Sequence, residues 1–157
     1  MKKQLLVLWA FAVAMSLLMS CTKENVSEFE MENAPYTANF SFVTKNQTFV
    51  PNSKDIQVII EGKGNYSFSG QGTFTDTFVL SLATGVGTHT MVFTDANGDK
   101  INATMTTQIG ATNITGTTNI MSGTGRYAKI KGESKNQGPL LNAKGEGSWE
   151  ESGSISF

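Results

Sequence analysis

The chain has 157 residues, with twelve Lys and Arg against thirteen Asp and Glu, one Cys and one His. A net charge of −1 with scattered lysines leaves no basic stripe for a phosphate backbone, so no nucleic-acid partner is expected. One histidine and one cysteine are too few for a zinc site, and a lone cysteine excludes a disulfide within the chain.

The first segment reads as an address rather than as structure. Lys2 and Lys3 precede an uncharged apolar run from Leu5 to Leu18, and Leu18-Met19-Ser20-Cys21 follows. A charged start, a short apolar stretch and a small residue before the break mark a secretory signal, and the run is short for a membrane span. Cys21 resembles the lipidated cysteine of bacterial lipoproteins, which implies cleavage after residue 20 and a lipid anchor on Cys21. Thr22 in place of Asp implies the outer membrane by the same resemblance. Residues 21–34 carry Glu24, Glu28, Glu30 and Glu32 among polar neighbours and are expected to be a disordered tether. Residues 35–157 remain for one domain.

That domain reads as all-β. Nineteen threonines follow the signal, interleaved with aromatic residues and punctuated by glycine. Tyr36, Ala38, Phe40 and Phe42 share one face of a first strand. Ile56, Val58 and Ile60 mark a second, after Pro51-Asn52, and Tyr66 with Phe68 a short third. Phe74, Asp76, Phe78, Leu80 and Leu82 then share one face, with Thr73, Thr75, Thr77 and Ser81 on the other. His89, Met91 and Phe93 face inward on the next strand, and Ile101, Ala103 and Met105 on the one after. A four-residue loop is expected to pair Leu80 with His89. The Ala96-Asn97-Gly98 turn is expected to pair Phe93 with Ile101 and His89 with Met105, with Gly98 left-handed. Residues 114–121, 128–135 and 144–157 complete about eight strands, which suits a single antiparallel, calycin-like barrel. Phe74, Phe78, Leu80, Met91, Phe93, Met105 and Trp149 could fill its interior outright or leave room for one small ligand.

Gly123-Thr-Gly-Arg-Tyr-Ala-Lys-Ile-Lys-Gly132 resembles a stretch of the allene oxide cyclase-like and dirigent-like barrels, with matching flanks at Asn97-Gly98-Asp99, Ile114-Thr-Gly-Thr and Gly145-Glu-Gly147. The resemblance spans residues 64–157. It implies an eight-stranded antiparallel barrel, often a homotrimer, whose plant members act on apolar substrates by cyclising an unsaturated epoxide or steering radical coupling. None of their catalytic residues maps onto a position here.

The residues leave binding and catalysis open and favour non-catalytic binding, of a small apolar ligand inside the barrel or of an envelope partner on its Thr-rich exterior. Three polar groups fall on apolar faces: Asp76, His89 and Glu151. Buried carboxyls must be paired, neutral or wetted, and an acid beside an imidazole in an apolar cavity could transfer protons. These three are the candidate catalytic residues. Two residue pairs separate Asp76 from His89 in the expected register, so contact between them is not required. Phe78, Met91, Phe93, Met105 and Trp149 are the candidate ligand-binding residues. No cofactor and no metal is expected. Gly123-x-Gly125-Arg126 lacks the helix a phosphate cradle requires and reads as a tight turn. Asp95-Ala-Asn97-Gly-Asp99 misplaces the glycine of a calcium loop and reads as a hairpin turn.

Overall fold

A computed structural model describes residues 31–157. The leader, Cys21 and most of the tether lie outside the described residues. Eight strands follow in order: β1 (Ala34–Phe49), β2 (Ile56–Tyr66), β3 (Gly70–Leu80), β4 (Val86–Asp95), β5 (Lys100–Ile109), β6 (Asn113–Gly123), β7 (Lys131–Pro139) and β8 (Glu146–Ser156). Each pairs antiparallel with the next, and β8 returns to β1, closing the barrel so that no edge is left unpaired. One 3-10 turn, Gly125–Tyr127, interrupts the β6–β7 connection.

Alternation decides which side chains enter. Tyr36, Ala38 and Phe40 of β1, Ile56, Val58 and Ile60 of β2, and Ile101, Ala103 and Met105 of β5 are all buried in one core. Threonines oppose one another across the outer face, as in Thr73↔Thr94, Thr77↔Thr90 and Thr90↔Thr104. Such cross-strand pairs suit a wetted β-surface. Two bulges, at Thr44/Asn46 and Asn102/Ala103, bend the strands where the wall curves.

Four expectations change. Tyr66 and Phe68 form no separate strand, because Tyr66 ends β2 and Phe68 sits in the turn before β3. Leu82 is not inward: β3 stops at Leu80, and Leu82 is exposed in the following turn. The β3–β4 turn closes earlier than expected, with the Ser81 N–H donating to the Val86 carbonyl at 2.9 Å, so Leu80 pairs with Gly87 and Phe78 with His89. Residues 31–34, expected within the tether, lie against the barrel: Met31 and Phe157 exchange backbone hydrogen bonds of 2.6 and 2.9 Å. The β4–β5 hairpin keeps its expected register, Phe93↔Ile101 and His89↔Met105, with Gly98 at φ 91°.

An up-and-down barrel has two ends. The β2–β3, β4–β5 and β6–β7 connections and both ends of the described residues gather at one of them, and it is sealed. Phe68 packs against Tyr36, Tyr66, Tyr127 and Phe157 at centroid distances of 5.0–6.2 Å. Asp95 is almost fully buried there. Its Oδ1 accepts the N–H groups of Asn97 and Asp99 at 2.8 and 3.0 Å. Its Oδ2 accepts the Tyr127 hydroxyl at 3.0 Å and the Arg126 guanidinium. Arg126 also donates to the Ser69 carbonyl, so one side chain ties three connections together. The mid-barrel is filled by Phe40, Phe74 and Trp149, whose rings lie 4.9–5.2 Å apart. The β1–β2, β3–β4, β5–β6 and β7–β8 connections surround the other end, which is not filled.

Candidate functional site

At the unfilled end a cavity of about 230 Å³ opens to solvent, lined mainly by apolar side chains such as Val58, Ile60, Phe78, Leu80 and Met105. At about 30 Å³ per molecule of liquid water, this is room for roughly eight waters or one small organic molecule. It arises from parity. The strands keep sending apolar side chains inward as they approach this end, and of the four connections only the β7–β8 one, through Leu140 and Leu141, adds side chains to the cavity wall. Ile109, Leu140 and Leu141 line the cavity and also reach solvent, and Phe49 and Leu82 stand exposed beside them.

Three of the polar side chains that line this wall are buried: His89, Thr107 and Asn136. The His89 ring is held on every side. Nδ1 lies 2.7 Å from Asp76 Oδ2, Nε2 lies 2.9 Å from Thr107 Oγ1, and the Phe78 ring stacks on it at 4.4 Å. A carboxylate at Asp76 can only accept, so Nδ1 carries a hydrogen, and in the neutral imidazole Nε2 turns its lone pair to the Thr107 hydroxyl. Two glycines make the space. A Cβ at Gly87 would lie 2.6 Å from Thr107 Oγ1 and 2.8 Å from His89 Nε2, where the bond between them runs. A Cβ at Gly116 would lie 2.8 Å from Asn136 Oδ1 and 3.0 Å from Thr107 Cα. Thr107 pairs with Gly87 on one side and Gly116 on the other, and the space over these glycines is taken by the His89 ring and the Asn136 amide.

Asp76 is fully buried, and its Oδ1 has no hydrogen-bond partner among the described residues. Leaving such an atom unpaired costs about 1–3 kcal/mol. The arrangement therefore orients His89 at the expense of stability.

Glu151 forms a second buried centre below the cavity. Its carboxyl accepts Thr118 Oγ1 at 2.9 Å, Trp149 Nε1 at 3.2 Å, and the Tyr36 and Ser134 hydroxyls at 3.4 Å each. Burial pushes this carboxyl above its ordinary range, and the four donors recover only part of that shift. The same burial, with the Glu151 charge nearby, holds the Tyr36 and Tyr66 hydroxyls protonated well beyond their usual range. Asn136 donates to Thr118 at 3.0 Å, linking this centre to the cavity wall.

Asp76 and His89, expected to lie two residue pairs apart, are in direct contact. The two-residue change in the β3–β4 register moves His89 opposite Phe78 and beside Asp76. Glu151 is inward, as its parity requires, but lies in a separate cluster. Of the candidate ligand-binding residues, Phe78, Met105 and Trp149 line the cavity. Met91 and Phe93 do not: both lie nearer the sealed end and are buried completely in the core. Thr107, Gly87 and Asn136 were not anticipated. Parity held the signal, since two residues beyond inward Met105 is Thr107 and two before inward His89 is Gly87. Among the described residues, no group of three or more His, Cys, Asp or Glu converges as a metal site would require.

No protein-family model matches the sequence, and no curated protein matches it. Among solved structures, the chain is similar to the pterocarpan synthase dirigent protein GePTS1, with 17% identity over 88% of this chain and 94% of that one and a TM-score of 0.59. It also aligns with a pyocyanin demethylase at 17% identity, over 73% of this chain and 97% of that one, with a TM-score of 0.45. At this identity the first likeness is one of fold: the barrel is dirigent-like, in keeping with the Gly123–Gly132 resemblance. The second is too distant to add to it.

Proposed function

We propose that the chain is a lipid-anchored cell-envelope module that takes one small apolar ligand into the open end of its barrel. The observation that carries this reading is the cavity itself. It is apolar, of about 230 Å³, and open at one end only, while the rest of the barrel is packed. Pockets that bind small molecules are concave and largely apolar, with a few convergent polar groups, which is the role His89, Thr107 and Asn136 fill here. The leader and Cys21 support an anchor in the outer membrane, and the barrel resemblance supports a homotrimer.

Native mass spectrometry of the protein purified from its own host tests the reading. A discrete extra mass lost on denaturation is expected. A mass equal to that of the bare chain under gentle conditions, with no uptake of added small apolar compounds, would overturn it. The same spectrum reads the oligomeric state.

One observation favours a second reading, an isomerase or cyclase of the allene oxide cyclase-like type. The Asp76–His89 hydrogen bond orients an imidazole at the cavity wall. Once a substrate is identified, turnover unchanged in both His89→Ala and Glu151→Gln would remove that reading.

A further inference from the structure

From the cavity wall we infer a site for covalent catalysis: Thr107 is an activated nucleophile for acyl transfer, and the cavity hydrolyses short-chain apolar esters. The inference rests on the cavity admitting a ligand and goes beyond binding. A hydroxyl becomes nucleophilic when a base lies within hydrogen-bond reach and a third group orients that base. Thr107, His89 and Asp76 meet these conditions at 2.9 and 2.7 Å. Such triads are recognised by geometry and roles rather than by sequence order. Two further features fit the chemistry. Phe78 stacked on the imidazole and the Asp76 contact leave the ring one orientation, with Nε2 toward the hydroxyl. Gly87 carries no Cβ where one would lie 2.6 Å from Thr107 Oγ1 and 2.8 Å from His89 Nε2, so the hydroxyl and imidazole can meet.

The steps balance with water as the only co-reactant. Thr107 Oγ adds to the ester carbonyl carbon as its proton passes to His89 Nε2. The carbon–oxygen bond to the alcohol breaks, and His89 returns that proton to the leaving oxygen. Water then adds to the Thr107 ester, losing a proton to His89. The carboxylic acid departs as Thr107 recovers its hydrogen from His89. Asp76 keeps Nδ1 protonated and aimed throughout and touches no substrate, so it is a positioning residue. The cavity volume sets the substrate class: acyl groups of a few carbons fit, and long chains or charged acyl groups do not.

The test is hydrolysis of p-nitrophenyl butyrate together with labelling by a short-chain β-lactone, read by intact mass and peptide mapping. One lactone mass is expected on Thr107. Hydrolysis is expected to fall at least ~100-fold in Thr107→Val, the loss typical of removing a positioned catalytic group, and to survive within tenfold in Thr107→Ser. Asp76→Asn lowers kcat and leaves KM within about twofold, a split that a merely structural role would not give. No label on Thr107, or hydrolysis unchanged in Thr107→Val, overturns the inference. Thr107→Val is close to isosteric, so its folding and that of Thr107→Ser can be compared directly by thermal unfolding. Uptake of a small apolar probe without label or hydrolysis would sink acyl transfer and leave the ligand-binding reading standing; failure of both would sink the two together.

Discussion

The two ends of this barrel are built from the same eight strands, in the same inward–outward alternation, and they differ in what closes them. At the sealed end, five aromatic rings converge and Asp95 satisfies four donors from two connections. At the open end, large apolar side chains stand exposed around the rim, at Phe49, Leu82, Ile109, Leu140 and Leu141. Inside the rim lies a polar arrangement that leaves a buried carboxylate oxygen without a partner among the described residues. One end spends its side chains on closure, and the other leaves large apolar side chains exposed around an open cavity.

The contrast can be broken by substitution, and the largest effect belongs to the packed part. Phe93→Ala removes a fully buried ring and is expected to cost about 3–5 kcal/mol in chemical denaturation, with probe affinity at the open end unchanged. Loss of that affinity would mean that the two ends are not independent.

Asp95→Asn comes next and acts through pH. Burial alone would raise the Asp95 carboxyl, but the Asn97 N–H, Tyr127, Arg126 and the Asp99 N–H together hold it below the ordinary 3.8. A lowered carboxyl contributes stability that is present above its unfolded value and lost as pH falls through the folded one. The thermal midpoint of the native protein is therefore expected to drop on acidification below about pH 4, and this acid limb flattens in Asp95→Asn.

Glu151 works in the opposite sense. Its folded value is raised above the ordinary 4.5, chiefly by burial, so its contribution is fully present below that value and is lost as pH rises through the folded one. Glu151→Gln is expected to remove that fall, making the midpoint flatter from about pH 5 upward. A variant with the same slope as the native protein would show that Glu151 is not the group responsible.

The smallest effect on stability is expected at the rim. Leu141→Ser should change unfolding by no more than ~0.5 kcal/mol, as exposed positions do, yet weaken uptake of an apolar probe severalfold.

The sequence made one hairpin legible and left its neighbour two residues out, for a physical reason. The Ala96-Asn97-Gly98 turn has a glycine at the one position that takes φ 91°, so it fixes its own register. The β3–β4 connection contains Leu82, whose apolar side chain reads as a strand residue but sits exposed in the turn, and Gly85 takes φ 72° to close it. Side-chain alternation has period two, so parity cannot detect a two-residue shift. That shift is what joins Asp76 to His89. Thr107 was hidden by the company it keeps, since the threonines around it on β5 and β4 face solvent. Whether bulky inward residues fill a barrel also depends on how far along its axis each one sits. Phe74 and Phe93 fill their level, whereas Val58, Ile60 and Leu80 leave theirs open.

A methyl NMR titration of the protein with a small apolar probe such as toluene tests the open cavity most directly. The expected result is saturable shifts confined to methyls around the open cavity, at Val58, Ile60, Leu80, Met105 and Ile109, with Met91, Ile101, Ile130 and Ile155 unmoved. Shifts that fail to saturate, or that spread evenly over exposed Met121 and the sealed end, would contradict it.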